Sequence, residues 1–244
     1  MDGIWLGLYR FSAFLIAYIA FIIFAYKVDP RFSLKYKKFP SFSYLLFLSL
    51  LETTIMLLLL VIFNLFVDQD LIFAFSIDRL FFTWYDIALG LIIGVAIFPL
   101  LAIIGVFLSV VRQKFFPEYK SKREEEVRKL IFGSLPKSKG KAYVLLFITS
   151  LKAAIFEELI FRGYLLNNLL LLFSPVLAII VQAILFFMGH LYQGIFNSIL
   201  PLIFSILPGL IFFLTSSLTI VMLAHFSSDV IGLVMQGLMQ GREK

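Results

Sequence analysis

The chain has 244 residues, 61% of them hydrophobic and only 15% charged, with a mean hydropathy of +1.02. A soluble globular chain is nearer half apolar and a quarter charged, and a water-soluble fold of this length has no interior large enough to hide so much Phe, Leu and Ile. This excludes a soluble enzyme, a disordered protein and a nucleic-acid-binding domain. The net charge of +6 sits mostly in two loops between apolar runs, the pattern by which membrane proteins mark their cytoplasmic side. There is no cysteine, which excludes disulfides, a thiol nucleophile and a cysteine-ligated metal and leaves the redox compartment open.

A spanning helix needs roughly 20 mostly apolar residues, and the sequence predicts an all-α polytopic bundle of about seven of them. The first runs from about Ile4 to Tyr26, with Arg10 near its outer end. Its length, Asp2 at its start and the lack of a small-residue cleavage site make it a span rather than a secretory signal. The second runs from about Tyr44 to Val67 and contains Glu52. The third, Ile87 to Val111, carries no charge. The fourth, Ala142 to Phe173, is charged in its middle. From Gly163 to Ser228 there are 66 consecutive residues without Asp, Glu, Lys or Arg, enough for about three more crossings. Ser174-Pro175 marks one turn, Gln193-Gly194 and Thr215 to Ser217 the next two, and the last helix runs from about Leu218 to Gln240. The expected division is residues 1–141, three helices with basic loops, and residues 142–244, a core of about four helices holding the cavity.

Loop charges set the expected orientation in a multi-pass cell-membrane protein. Lys27 to Ser43 holds Lys27, Arg31, Lys35, Lys37 and Lys38 against Asp29, and Arg112 to Lys141 holds ten basic residues against four Glu. Between them, Asp68 to Asp86 holds four Asp and Arg79 alone. Basic loops face the cytoplasm, so the N-terminus is expected outside and Arg242-Glu243-Lys244 inside. Glu124 to Glu126 with Arg128 and Lys129 form either a surface helix on anionic lipid or a solvated segment.

Ionisable groups inside spans are costly and point to function. The fourth helix carries Lys152, Glu157, Glu158 and Arg162. Glu158 and Arg162, at i,i+4, share a face and are expected to form a structural ion pair. Glu157 lies about 100° around the helix from Glu158, without a partner on its own helix, which suits a general base. The only two histidines, His190 and His225, both lie in apolar runs. Asp229 shares a helical face with His225 and can orient its ring. Phe186, one turn before His190, is expected to pack on that ring. Glu52 and Lys152 are read as pairing with each other or reaching an interface, without chemistry.

Together these residues resemble a known signature. Glu157-Glu158-Leu-Ile-Phe-Arg162 is similar to the EExxxR motif of the CPBP family, the CAAX-protease and bacteriocin-processing membrane proteins. Phe186-Phe-Met-Gly-His190 resembles its FxxxH motif, and His225-Phe-Ser-Ser-Asp229 its HxxxN or HxxxD box. The resemblance covers Ala142 to Gln240. It implies an intramembrane endopeptidase whose eukaryotic members remove the last three residues of prenylated CAAX proteins. Glu157 and His190 would then hold and activate the attacking water. His225 and Asp229 would occupy the oxyanion site, and Glu158 and Arg162 would support the first motif. Asp229 stands where the prenyl-protease branch usually has Asn. Asn can donate to an oxyanion and an ionised Asp cannot, so Asp229 is expected to keep His225 protonated as the sole donor. The expected substrate is a short peptide, a lipidated C-terminus or a membrane-protein segment, in or at the bilayer.

Peptide hydrolysis needs a nucleophile, a base and a donor for the developing charge. No Ser near the motifs lies in a G-x-S-x-G context, so water activated by Glu157 is the expected nucleophile, with no cofactor. A zinc-dependent hydrolase is the rival, since two His and a carboxylate make a sound zinc set, although H-E-x-x-H is absent. A non-catalytic scaffold or immunity protein is a second alternative, and a proton relay or transporter a third, for which the expected internal repeat is missing. Glu157 lies about 15 residues into its helix, roughly 22 Å along it. Meeting His190 therefore requires either that this helix starts well inside the cytoplasm or that a cavity reaches down to it, and a cavity open to the cytoplasmic side is expected.

Overall fold

The computed structural model describes residues 3–29, 31, 41–66, 70–116, 125–127, 129–130 and 134–240. Within them the chain is a bundle of helices: α1 (Gly3–Val28), α2 (Phe42–Leu65), a short α3 (Leu71–Ala74), α4 (Trp84–Phe115), α5 (Lys139–Glu158), α6 (Pro175–His190), α7 (Ile195–Thr215) and α8 (Leu218–Gln240). Beyond Glu158 the α5 axis continues through a π-helical stretch, Leu159–Leu166, and a last α-helical turn, Asn167–Leu169. The turns fall where the sequence breaks. Pro175 opens α6, where its missing N–H costs nothing, and Gly194 turns the chain into α7 at a φ of 92°.

Among the described residues, five helices are long and apolar enough to cross a membrane: α1, α2, α4, the stretch Pro175–Gln193 and α7. Of the seven long helices expected, the two that fall short are α5 and α8, which carry the charged motifs. The protein is an integral membrane protein on this ground. Ile16, Ile19 and Ile23 of α1 and Ile92, Ile103 and Phe107 of α4 stand exposed, an apolar surface suited to lipid. Of the second basic loop, Glu125 and Lys129 form an i,i+4 ion pair at 2.6 Å, while Val127 and Leu130 are buried. Lys35, Lys37, Lys38, Asp68, Glu124, Arg128 and the terminal Arg242-Glu243-Lys244 lie outside the described residues.

Two close approaches set the position of the motif helices. Gly90 and Gly94 make a small-residue seam on α4 of the kind that lets membrane helices touch. A Cβ on Gly94 would sit 1.9 Å from Ser227 Oγ and 2.4 Å from the Ala224 carbonyl, so α4 and α8 meet backbone to backbone beside His225. Gly163, in the π-helical stretch, faces the Phe75 carbonyl, which a Cβ would meet at 2.5 Å. The core between α1, α2 and the π-helical stretch is aromatic. Phe14 stacks on Tyr18, and Phe161 packs edge-on to both Phe14 and Phe186. Deeper toward the start of α1, the fully buried Arg10 donates to Asn168 Oδ1 at 3.2 Å and the Asp70 carbonyl at 3.4 Å, fastening α1 to the end of the α5 axis.

Candidate active site

Glu158 and Arg162 form the expected ion pair, Nη1 to Oε1 at 3.0 Å, with both side chains at 0% exposure. The guanidinium is further held by Ser205 on α7, through the carbonyl at 2.9 Å and Oγ at 3.0 Å, and Gln182 of α6 donates to that same Oγ at 2.6 Å. Arg162 also lies over the Phe186 ring, 5.2 Å from its centroid. This one side chain therefore ties α5, α6 and α7 together.

Glu158 is not confined to that pair. Its Oε1 also accepts from His225 Nδ1 at 2.7 Å, which joins the first motif to the third. Asp229 also meets the ring, as an ion-pair contact rather than as the hydrogen bond expected. Asp229 Oδ2 stands 3.6 Å from Nε2, beyond hydrogen-bond length, so the close partner of the ring is Glu158. The i,i+4 spacing on α8 does put Asp229 on the right face. It is the rotation of α5 that brings Glu158 nearer, and a single helix cannot reveal that. Phe204 of α7 packs edge-on to the ring, centroids 4.8 Å apart.

His190 ends α6. Its Nδ1 lies 2.9 Å from the Phe186 carbonyl, and a carbonyl only accepts, so Nδ1 carries a proton and, in the neutral ring, Nε2 is the acceptor. Phe186 stacks on the ring at 4.4 Å as expected. Tyr18 of α1 donates to the Leu185 carbonyl at 2.6 Å, and Ser198 to that of His190 at 2.7 Å, bracing this helix end on two sides. His190 and Glu157 line one cavity of about 100 Å³. Among the described residues Glu157 makes no hydrogen bond, and it interacts electrostatically with Lys152, Arg162, Tyr192, His225 and Asp229. The three motifs thus converge from three helices.

The cavity expected within the C-terminal helices is closed on its other side by the N-terminal ones. Its wall includes Tyr18, Arg31, Ser49, Glu52 and Lys152. Glu52 and Lys152, set aside in the sequence, do not pair with each other. Lys152 Nζ donates to Ser49 Oγ at 2.7 Å, and Glu52 Oε2 meets Arg31 Nη2 at 3.4 Å. Burial opposes the charge of Arg31, but its bonds to Asp29 outweigh that and hold the guanidinium above its ordinary range. The available signal was an ionisable residue inside an apolar run, the same that singled out Glu157. A second, larger cavity of about 770 Å³ is lined mostly by apolar side chains of α2, α4, α5 and α8, with Asp229 among them, and shares Arg31, Ser49 and Tyr192 with the first. Among the described residues no three His, Asp or Glu side chains gather as a metal-ligand set.

Residues 139–231 match the family model of the type II CAAX prenyl endopeptidase Rce1-like proteins. A domain of that family occupies this stretch. The Rce1-like domain spans all three motifs, from α5 to the middle of α8, and at family level it is a peptide hydrolase of the CAAX-protease type. No curated protein and no solved structure matches the chain.

Proposed function

We propose that the protein is an intramembrane endopeptidase that hydrolyses a peptide bond near a C-terminus or in a membrane-associated peptide. The observation that carries this reading is the shared cavity of Glu157 and His190. A water between them meets a carboxylate without a hydrogen-bond partner among the described residues and an imidazole whose Nε2 accepts in the neutral ring. A cavity of about 100 Å³ holds water easily, since one molecule needs roughly 10–15 Å³ of such volume. His225, gripped at Nδ1 by Glu158 and 3.6 Å from Asp229 at Nε2, supplies the donor for the oxyanion from that second nitrogen. The larger cavity takes the apolar part of the substrate. Its lining comes from the parts of α2, α4 and α8 nearest the basic loops and the C-terminus, which by the positive-inside rule is the cytoplasmic side, with the N-terminus outside.

The test compares membranes carrying wild type with membranes carrying Glu157→Gln, and identifies by mass spectrometry which peptides change length. New termini made only by wild type are expected, and identical peptide sets would overturn the reading. The reading uses no metal, so chelator is expected to leave these termini unchanged. Their loss in chelator and return with zinc would replace water activation by glutamate with zinc chemistry.

A further inference from the structure

The small cavity contains a second carboxyl group that the reading above does not use. Glu52 lies on the α2 stripe that faces the bundle, with Leu48, Ser49 and Met56. It is 3% exposed and lines the cavity beside Glu157 and His190. Its Oε2 lies 3.4 Å from Arg31 Nη2, its carboxyl group also meets that of Asp29, and its Oε1 is buried without a hydrogen-bond partner. Arg31 is turned mainly to Asp29, which accepts from its Nε and its backbone N–H at 2.7 Å each and from Nη2 as well. Lys152 gives its ammonium to Ser49.

A carboxylate taken out of water beside Asp29, with only Arg31 at 3.4 Å and Lys152 as cations and with one bare oxygen, carries a large desolvation cost. A carboxyl group that keeps its proton avoids most of it, and the group is then a proton donor on the cavity wall. Glu157, half-buried at the same cavity, has no such confinement. Two carboxyl groups in one site with different surroundings divide acid and base roles between them.

We propose that Glu52 is the general acid of the reaction and protonates the leaving amine. This rests on Glu157 and His190 activating water. As the water oxygen bonds to the carbonyl carbon, one of its protons passes to the Glu157–His190 pair. The C–N bond then breaks, its electrons stay on nitrogen, and that nitrogen takes the proton from Glu52. Glu52 recovers a proton through cavity water from the Glu157–His190 pair. The net reaction consumes one water and releases an acid and an amine.

The test uses a peptide identified by the membrane comparison, synthesised once with its scissile amide and once with an ester at that bond. An alcohol leaves with less need of a proton than an amine does. Glu52→Gln is expected to slow amide cleavage by about 100-fold, within the usual range for general acid catalysis, and ester cleavage by under about tenfold. Turnover of the ester also shows that the variant is folded. Glu52→Asp, which keeps the proton but withdraws it, is expected to fall between wild type and Glu52→Gln on the amide. Equal loss on both substrates, or loss on neither, would overturn the assignment. Glu157→Gln separates the two ideas. If it cleaves the amide normally, the water-activation reading itself fails. If it is inactive while Glu52→Gln does not discriminate amide from ester, only the role of Glu52 fails.

Discussion

The two cavities adjoin but are built for different work. The small one, about 100 Å³, gathers Arg31, Glu52, Lys152, Glu157, His190 and Tyr192 on a wall completed by Phe21, Met56, Ile160, Phe161 and Phe186. The large one, about 770 Å³, is walled mainly by Phe, Leu, Ala, Gly and Met, with Asp229 as its carboxylate among the described residues. A few waters in a fixed field of charges suit bond cleavage, because preorganised dipoles need not reorient as charge develops. An apolar segment needs volume and few polar groups. Arg31, Ser49 and Tyr192 belong to both walls, so the boundary between the two is itself polar.

If that division is right, damage to the polar side should act on stability and rate, and damage to the apolar side on substrate binding. The largest effect is expected at Glu158. Glu158→Gln leaves Arg162, at 0% exposure, without its counter-charge and loosens His225. A broken buried pair costs about 3–5 kcal/mol, which thermal unfolding of the detergent-solubilised protein would register, and cleavage should be lost with it. Unchanged stability would show that Ser205 alone satisfies Arg162.

Next comes Gly94→Ala, whose added Cβ meets the Ala224 carbonyl at 2.4 Å. Overpacking of this kind costs about 1–3 kcal/mol, and the displaced α8 should lower kcat by moving His225. A variant as active and stable as wild type would show that α8 is not held by this seam.

Asp229→Ala is expected to slow cleavage by about tenfold, less than removal of a close donor in an oxyanion site would, because Glu158 rather than Asp229 holds His225. Full activity would remove Asp229 from the site altogether. The smallest effect is expected at Gly105, where an added Cβ meets only Leu200 at 3.9 Å. Gly105→Leu puts a side chain into the large cavity and should raise KM several-fold for peptides with long apolar segments, at roughly constant kcat, as loss of uniform binding does. A fall in kcat alone would break the division between the cavities.

Much of this was legible in the residues. Seven helix positions, the breaks at Pro175 and Gly194, the Glu158–Arg162 pair and the stacking of Phe186 on His190 all follow from local spacing and hydropathy. Glu157 and His190 stood out because an ionisable group in an apolar run is rarely idle. The π-helical stretch was not legible. It turns on which carbonyl each N–H reaches, and every residue from Ile160 to Leu166 is buried, so no amphipathic stripe marks its phase.

The sequence by itself determined that the chain is a membrane-embedded helical protein, where its helices turn, and which acids and imidazoles carry the motifs. Each of these depends on residues a few positions apart. Only the tertiary structure decided that Glu158 rather than Asp229 grips His225, that Glu52 and Arg31 border the cavity of Glu157, and that Gly94 brings α8 against α4. Those outcomes depend on the rotation and depth of one helix against another. Side chains separated by 67 residues, as Glu158 and His225 are, meet or miss by a few ångströms that no local pattern specifies.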